Sequence, residues 1–235
     1  MSDAGAGFSW SFSRLRRNMS FRHGSPAEVL DNRRGFLFNM GADYQRLVCA
    51  EQVHGARAVK VTAADAGKGA LSFESSVRSA DALITDVPGM PLGMLTADCL
   101  PVLIFDQLTP AVAAIHAGWR GSRGGIIGNT LRLMMDSFGT RPEDVFAELG
   151  PCIGKCCYRV SGEFSGIFPG YVSGSDGGLF FDLSGFNKEA LIECGVKPRR
   201  INDSGLCTFC LKRDFFSYRR ENNSAGRMLS AVMLK

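Results

Sequence analysis

The stretch TADCLPVLIFDQLTPAVAAIHAGWRG, residues 96–121, decides the expected fold. Its two apolar runs, 100–105 and 111–115, have the length of buried strands, and the turn-forming residues DQLTP separate them. Strands joined by so short a turn pair antiparallel, which brings the end of one beside the start of the other. We therefore expect Cys99, where the first strand begins, to lie beside His116, where the second strand ends.

Short strands and scattered helices surround this pair. Further strands are expected within 46–61, at 81–85 and at 91–95, and helices at 26–40, 124–139 and 185–196. In 46–61 the alternation of apolar and polar residues predicts two strands joined by a tight turn at His54 and Gly55, with His54 at a strand end. The Gly- and Ser-rich residues 170–180 predict a long loop. Because strands and helices mix without strict βαβ alternation, we expect the α+β class: one mixed-sheet domain spanning residues 1–235.

Composition restricts the class of protein. The chain has 235 residues and 45% hydrophobic content, enough for one substantial core. Its 27 Lys and Arg against 23 Asp and Glu give a net charge of +4, too small to indicate a nucleic-acid partner. The basic stretch RLRRNMSFR (14–22) is open to two interpretations, a solvated face or a binding arm.

The expected compartment is the cytoplasm. No apolar run reaches the roughly 20 residues needed to span a bilayer, and the first ten residues lack the apolar segment of a signal peptide. We therefore expect no membrane partner, and we expect the eight cysteines to be reduced thiols or metal ligands.

A metal site is one interpretation of three residues near strand ends, His54, Cys99 and His116. Two imidazoles and one thiolate supply three zinc ligands and leave a fourth position for water or substrate, as in catalytic sites. Zinc lowers the pKa of its bound water to about 7 and keeps a cysteine as thiolate. Asp98 is then placed to orient a ligand or to carry a proton. The alternative is that Cys99 is a small core residue and that the histidines are ordinary turn residues.

Two further groups of cysteines form a second candidate. They lie in PCIGKCC and LCTFC: Cys152, Cys156, Cys157, Cys207 and Cys210. A C-x-x-C pair with a second group of cysteines can hold structural zinc. The three-residue spacer of the first pair and the missing knuckle glycines favour a disulfide or unpaired thiols instead.

The tail FFSYRRENNSAGRMLSAVML (215–234) has arginines among aromatic residues before a closing strand. Arg219 and Arg220 have the fork geometry that binds phosphate, and Phe216 or Tyr218 could stack on a base. A strand with one packed face and one salt-bridged face would give the same pattern.

Together these motifs resemble a known family, the laccase-domain (polyphenol oxidase-like) family, viewed mainly as zinc-dependent purine nucleoside phosphorylases. The resemblance covers most of the chain, from about Asn18 to the C-terminus. The motifs occur in the family's order: NRR, QVHG, ADALIT, TADCLPVLIFD, HAGWRG, GPCIG, and CT followed by FFSYRRE and GRMLSAV. The segment before Asn18 is shortened and altered relative to the family, and Arg159 stands where an acidic residue is more usual.

The resemblance implies a ligand set, a fold and an activity. The metal ligands are then His54, Cys99 and His116, with zinc as cofactor and copper as an alternative. The implied fold is a mixed α/β sandwich of the cysteine-hydrolase-like type. The implied reactions are phosphorolysis of adenosine, inosine, guanosine and methylthioadenosine, with adenosine deamination at the same site.

The sequence thus supports one leading hypothesis and several alternatives. In the leading hypothesis Arg219, Arg33 and Asn18 bind substrate, with Arg219 and then Arg33 preferred for phosphate, while the metal or Asp98 helps the purine leave. The alternatives are a metal-independent cysteine hydrolase with Cys99 as nucleophile and His116 as base, copper-dependent phenol oxidation, and a non-enzymatic interaction domain.

Overall fold

The computed structural model describes residues 2–3, 7–175 and 177–235 and contains two large mixed sheets and one small one. The first large sheet has the order β1-β2-β14-β6-β3: β1 (Ser2–Asp3), β2 (Phe8–Phe12), β14 (Met228–Leu234), β6 (Leu92–Thr96) and β3 (Val48–Cys49). The second has the order β13-β9-β7-β8-β5-β4: β13 (Ile201–Asp203), β9 (Val145–Leu149), β7 (Leu100–Asp106), β8 (Ala111–Ala117), β5 (Ala82–Thr85) and β4 (Ala58–Lys60). The small antiparallel sheet contains β10 (Arg159–Val160), β12 (Gly178–Phe181) and β11 (Val172–Ser175).

The described part of the chain has six α-helices, and the longest of them pack on the outer faces of the two large sheets. The six helices are α1 (Pro26–Phe38), α2 (Trp119–Arg123), α3 (Ile126–Phe138), α4 (Glu163–Ile167), α5 (Leu183–Glu193) and α6 (Tyr218–Glu221). One core cluster joins the inner faces of the sheets, for example Trp10 and Val232 with Leu103. A second lies between the six-stranded sheet and α3 and α5, and a third lies between the five-stranded sheet and α1. The layers are therefore helix, sheet, sheet and helix, each sheet buried on both faces.

The central hairpin and the helices agree with the expectations from sequence. β7 and β8 pair antiparallel with Leu100 opposite Ala117, and every residue of both strands is buried. Gly139 ends α3 in the left-handed conformation, the usual helix stop. A mixed α/β fold with mixed sheets is confirmed, whereas the cysteine-hydrolase-like label and the single-domain bounds 1–235 stay predictions.

The expected hairpin within 46–61 is wrong. β3 pairs with β6 in one sheet, and β4 pairs with β5 in the other. Between them the Gln52 side-chain amide accepts from the Leu95 backbone N–H and donates to the Leu95 carbonyl, so a side chain takes over the pairing that a longer strand would make. The segment therefore crosses between sheets and carries His54 in a loop, not at a strand end.

Residues 170–180 form a hairpin, not the expected long loop. β11 and β12 pair from Val172 opposite Phe181 to Ser175 opposite Gly178, and residue 176 lies outside the described residues. Gly178 has a φ of +120°, which a glycine adopts at little cost, so the turn residues close a hairpin. None of the described helices is long and apolar enough to cross a bilayer. A cytoplasmic location stays a prediction.

Candidate active site and metal centre

Three side chains from different parts of the chain meet at one end of the β7–β8 hairpin. His54 lies in the crossing loop, Cys99 directly precedes β7, and His116 lies near the end of β8. Their ligand atoms all lie within 4.8 Å of one another, and the two imidazole centroids are 4.8 Å apart. The structure thus brings together the three residues that the sequence assigned to a metal.

Asp81 organises both histidines and was not among the predicted site residues. One of its carboxylate oxygens accepts from His116 Nδ1 at 2.8 Å, and the carboxylate also accepts the backbone N–H groups of Val53, His54 and Gly55 at 3.3, 2.9 and 2.7 Å. His54 itself has a φ of +60°, so its loop needs this anchoring. The Asp81 bond fixes the proton of His116 on Nδ1 and leaves Nε2 as the nitrogen for a ligand.

Sequence pattern contained a signal for Asp81. It directly precedes β5, and Ala82 lies opposite Ile115 in the antiparallel β5–β8 pair. The next pair in that register is Asp81 with His116, and the His116 N–H donates to the Asp81 carbonyl at 2.7 Å. Extending the strand register by one residue would therefore have placed a carboxylate beside the imidazole.

The charges at the site favour a thiolate. Burial raises the pKa of Cys99, but the positive charge and hydrogen bond of His116, and then those of His54, outweigh it and lower the pKa to about 6. Burial lowers the pKa of His116, whereas the Cys99 charge and the bond to Asp81 raise it to about 9. Burial also raises the pKa of Asp81, but His116 and the backbone donors hold it below its ordinary value. Metal-free, the site is a thiolate–imidazolium pair supported by a carboxylate.

Two glycines of HAGWRG make the close approach possible. A Cβ atom on Gly118 would lie 3.0 Å from Cys99 Sγ and 3.3 Å from His54 Cδ2. A Cβ on Gly121 would lie 2.6 Å from the Gly55 carbonyl oxygen. Larger residues at these positions would displace the side chains beside them.

The donor set fits a zinc ion. Two imidazoles and a thiolate are zinc ligands, and a copper ion accepts the same set. His54 is exposed and His116 is buried. The three side chains therefore extend from the protein interior to an open pocket. Three protein ligands on a pocket wall are typical of catalytic metal sites, which keep one position for water or substrate.

The pocket next to these residues has a volume of about 560 Å³ and a basic, aromatic lining. Its basic side chains are Arg22, His23, Arg120, Arg219 and Arg227, and its aromatic side chains are Phe73, Trp119, Tyr158 and Tyr218. The guanidinium of Arg22 lies 3.9 Å from the Phe73 ring centroid, and that of Arg120 lies 4.4 Å from the Trp119 ring. The pocket is thus large enough for a nucleoside and positive enough for phosphate.

Of the three residues predicted to bind substrate in the leading hypothesis, Arg219, Arg33 and Asn18, Arg219 lines this pocket. Its guanidinium donates to the Arg159 carbonyl at 2.7 Å and lies 5.4 Å from the Tyr158 ring. It belongs to the short helix α6, and Tyr218 beside it also lines the pocket. The strand alternative for 215–221 is therefore wrong, since a helical turn replaces the strand.

The structure places the other two predicted substrate residues, Arg33 and Asn18, outside the pocket lining. Arg33 is 1% exposed, and its guanidinium donates to the carbonyls of Met19, Gly69 and Ala70. The Asn18 side chain bridges the Ser20 and Arg227 backbone. Both side chains hydrogen-bond to the backbone of the N-terminal segment.

Arg220 and Phe216 also have structural roles. The Arg220 guanidinium donates to the carbonyls of Thr208, Phe209 and Phe215. Phe216 is buried in a small core cluster. The pattern of 215–220 did not separate these residues from Arg219 and Tyr218, because the direction of each side chain depends on the turn that α6 makes.

Asp98 lines the pocket but has a different neighbourhood from the expected one. It has a φ of +87°, and its carboxylate accepts from Thr208 Oγ1 at 2.6 Å, Ser217 Oγ at 3.0 Å and the Arg219 N–H at 2.6 Å. These bonds tie the segment of Cys99 to the segment that carries Arg219. The carboxylate that contacts a ligand histidine is that of Asp81.

The remaining pocket residues were missed for a common reason. His23, Arg22, Arg120 and Arg227 lie in loops or at helix starts, where sequence periodicity does not show direction. Arg22 belongs to the basic stretch 14–22 and lines the pocket, which supports the interpretation of that stretch as a binding arm at this one residue. Arg120 lies inside HAGWRG, directly after the His116 strand, and that position was a usable signal.

Comparisons with known proteins agree with this geometry. A sequence profile of the family described as "Multi-copper polyphenol oxidoreductase laccase" matches residues 6–235. Purine nucleoside phosphorylase YlmD of Geobacillus stearothermophilus is 36% identical over 214 residues, which cover 87% of this chain and 78% of that protein. Adenosine deaminase RL5, from an unknown prokaryotic organism, is 30% identical over 216 residues, which cover 88% of this chain and 82% of that protein.

A solved structure extends the likeness to the fold. The crystal structure of YlmD from Geobacillus stearothermophilus matches with a TM-score of 0.92 at 32% identity and covers 98% of this chain and 93% of that chain. Sequence and fold agree over nearly the whole length. The chain therefore belongs to the laccase-domain family, whose profile is described as multi-copper polyphenol oxidoreductase laccase.

Proposed function

We propose that this chain is a zinc-dependent purine nucleoside phosphorylase acting on adenosine, inosine, guanosine and methylthioadenosine. The observation that carries the proposal is a nucleoside-sized pocket with three metal ligands on one wall and four arginines around it. The names of the relatives, purine nucleoside phosphorylase and adenosine deaminase, support a purine nucleoside as substrate.

The chain's own residues divide the work of binding. The arginines that line the pocket, with Arg219 first, neutralise phosphate and hold it near C1′ of the ribose. Aromatic side chains such as Tyr218 and Trp119 offer faces on which a purine stacks. Burial, and then the Cys99 charge, raise the pKa of Tyr158, so its hydroxyl remains a hydrogen-bond donor in the pocket even at alkaline pH.

In the proposed reaction a phosphate oxygen forms a bond to C1′ as the bond from C1′ to purine N9 breaks. The electron pair of the broken bond goes to the purine, which takes up the proton that the attacking hydrogen phosphate gives up. His54, Cys99 and His116 would hold a zinc ion, which would supply a Lewis acid for negative charge that develops in the pocket. Asp81 holds His116 in the ligating tautomer, and Asp98 positions the segment of Arg219.

The experiment is product analysis over a panel of the four nucleosides, with and without inorganic phosphate. We expect free purine base and ribose 1-phosphate, or its 5-methylthio derivative from methylthioadenosine, only with phosphate. Equal release of base without phosphate would overturn the proposal. The variants Cys99→Ala and Cys194→Ala provide the matched pair, since Cys194 is a thiol outside the pocket lining. Full activity in Cys99→Ala would also count against the proposal.

Adenosine deamination is a second proposed activity of the same pocket. The relative named adenosine deaminase RL5 favours it. Water would replace the amino group at C6 of adenine and release ammonia. Inosine and ammonia formed from adenosine without phosphate, and lost in Cys99→Ala, would support this activity, whereas activity kept in Cys99→Ala would separate it from the site.

A metal-independent cysteine hydrolase is the alternative that the geometry favours most. Cys99, His116 and Asp81 form a chain of thiol, imidazole and carboxylate like that of cysteine nucleophiles. Metal quantification separates the two: activity that survives complete metal removal and is abolished by thiol alkylation would favour the hydrolase.

Multicopper phenol oxidation needs more imidazoles than the three histidines of this chain. Phenol oxidation that follows added copper and is absent with zinc would favour it.

A further inference from the structure

Four cysteines outside the pocket form a second cluster. Cys156 and Cys157 lie in the segment before β10, and Cys207 and Cys210 lie in the segment after β13. Their four sulfur atoms lie within 4.8 Å of one another. None of the four lines the pocket of His54, Cys99 and His116, so this cluster is a separate feature.

The sulfur spacing matches a tetrahedral metal site better than a disulfide. Cys157 Sγ lies 3.3 Å from Cys210 Sγ, and Cys156 Sγ lies 3.8 Å from the same atom. A disulfide requires about 2.0 Å between sulfurs. In a tetrahedral zinc site with Zn–S distances of about 2.3 Å, neighbouring sulfurs are about 3.8 Å apart. All eight cysteines are free thiols in the structure, so of the two alternatives, a disulfide and unpaired thiols, the structure shows no disulfide.

Two backbone N–H groups donate to one sulfur of the cluster, that of Cys207. The Gly154 N–H donates to Cys207 Sγ at 3.3 Å, and the Cys210 N–H also donates to that sulfur. A Cβ on Gly154 would lie 3.3 Å from Cys156 Sγ and 3.5 Å from Cys207 Sγ, so only glycine leaves the sulfurs their full space. Backbone N–H donors to a C-x-x-C sulfur stabilise its thiolate form, which is the form that binds a metal.

The cluster joins the two segments that carry part of the pocket wall. Tyr158 of the pocket directly follows Cys157, and Thr208, which donates to Asp98, lies between Cys207 and Cys210. The backbones of the two segments pair at an isolated parallel β-bridge between Cys152 and Cys207. There the Thr208 N–H donates to the Cys152 carbonyl at 2.9 Å. A metal at the four sulfurs would therefore fix the position of Tyr158 relative to Asp98 and its partners.

We propose that Cys156, Cys157, Cys207 and Cys210 bind a structural zinc ion. Four protein thiolates fill a tetrahedral coordination sphere and leave no position for substrate, so the ion acts as a cross-link and takes no part in the chemistry. Zinc and iron both accept four thiolates in tetrahedral geometry, and the test distinguishes them.

The test is the metal content of the purified full chain, measured by elemental analysis. We expect two zinc ions per chain in the wild type, one in Cys207→Ser/Cys210→Ser and one in Cys99→Ala. The matched control Cys194→Ser keeps two, because Cys194 belongs to neither metal-ligand group. The proposal would be overturned if the wild type contained one zinc ion per chain and the double variant still contained it. Iron in place of zinc would also overturn it.

A second measurement leaves the cluster intact, in case the double variant fails to fold. X-ray absorption on zinc-loaded Cys99→Ala should show the remaining zinc bound by sulfur alone at about 2.3 Å. Nitrogen or oxygen neighbours, or no zinc at all, would overturn the proposal. A Cys157–Cys210 disulfide found by mass spectrometry of the unreduced protein would do the same. These results do not depend on whether the pocket performs phosphorolysis.

Discussion

At the scale of single residues, Asp81 explains how two histidines from distant parts of the chain come to face one thiol. Its carboxylate holds the His116 ring and three consecutive N–H groups of the His54 loop. It is fully buried, so these bonds are shielded from water. Asp98, one strand away, has no such contact with a metal ligand and is instead bonded to Thr208, Ser217 and Arg219.

Asp81→Asn should therefore weaken zinc binding at the pocket by about 10- to 100-fold, the usual effect of losing a carboxylate behind a ligand histidine. The measurement is zinc competition against a chelator of known affinity. Asp98→Asn is the matched control and should leave zinc affinity unchanged. Equal losses in the two variants would show that Asp98 supports the metal directly.

Arg33→Met should destabilise the protein without changing phosphate binding. The guanidinium is the donor to three buried carbonyls, and a buried polar group left without a partner costs about 1–3 kcal/mol. Urea unfolding should show a loss of several kcal/mol, while Arg34→Met, an exposed neighbour on α1, should show little change. A raised KM for phosphate with unchanged stability would return Arg33 to the site.

At the scale of elements, the connection from β8 to α2 allows Cys99 and His54 to lie close together. Gly118 follows this strand and faces both Cys99 and His54. Short apolar runs made β7 and β8 predictable, because their length and the turn residues between them favour strands. The two- and three-residue strands β3 and β4 gave no comparable pattern. The Gln52 side chain pairs with the Leu95 backbone of β6, so the segment is tied to another strand and not to its own second half.

Gly118→Ala should lower zinc affinity by a factor similar to that of Asp81→Asn, because its methyl group would lie 3.0 Å from Cys99 Sγ. Gly128→Ala on α3 is the control, since its methyl group would meet only Cys194 Sγ at 3.6 Å and alanine favours a helix. Chelator competition compares the two. Unchanged affinity in Gly118→Ala would mean that the thiol has room to move without losing the ion.

Helix α6 makes the second prediction at this scale. Arg219→Gln should raise the KM for phosphate by about 10- to 100-fold, since a hydrogen bond to a charged group contributes about 1.5–3 kcal/mol. Arg213→Gln removes an exposed charge outside the pocket lining and serves as the control. Steady-state kinetics with phosphate as the varied substrate measures the difference. Equal KM values would assign phosphate to another of the pocket arginines.

At the scale of the whole molecule, two sheets contribute to one pocket because the chain crosses between them. The crossing loop takes His54 from the five-stranded sheet to the end of the β7–β8 hairpin in the six-stranded sheet. Sequence spacing predicted that Cys99 and His116 meet, since one antiparallel register decides it. The position of His54 followed only from the family resemblance, because no local pattern fixes where a loop between sheets ends.

Two further features were not predictable from the sequence, because they depend on tertiary packing. Arg33 and Arg219 are the same residue type in similar arginine-rich motifs, yet one is buried by α1 packing and the other lies on the pocket wall. The four-cysteine cluster needs two segments about 50 residues apart to meet, and spacing within either segment does not show this. Burial and segment pairing are properties of the folded chain.

The measurement that tests the central claim most directly is recovery of activity after metal removal. Protein stripped of metal should lose phosphate-dependent cleavage of inosine, and stoichiometric zinc should restore it in the wild type and in Cys194→Ala but not in Cys99→Ala. Full phosphorolysis by the stripped protein, or restoration by zinc in Cys99→Ala, would contradict a catalytic zinc held by His54, Cys99 and His116.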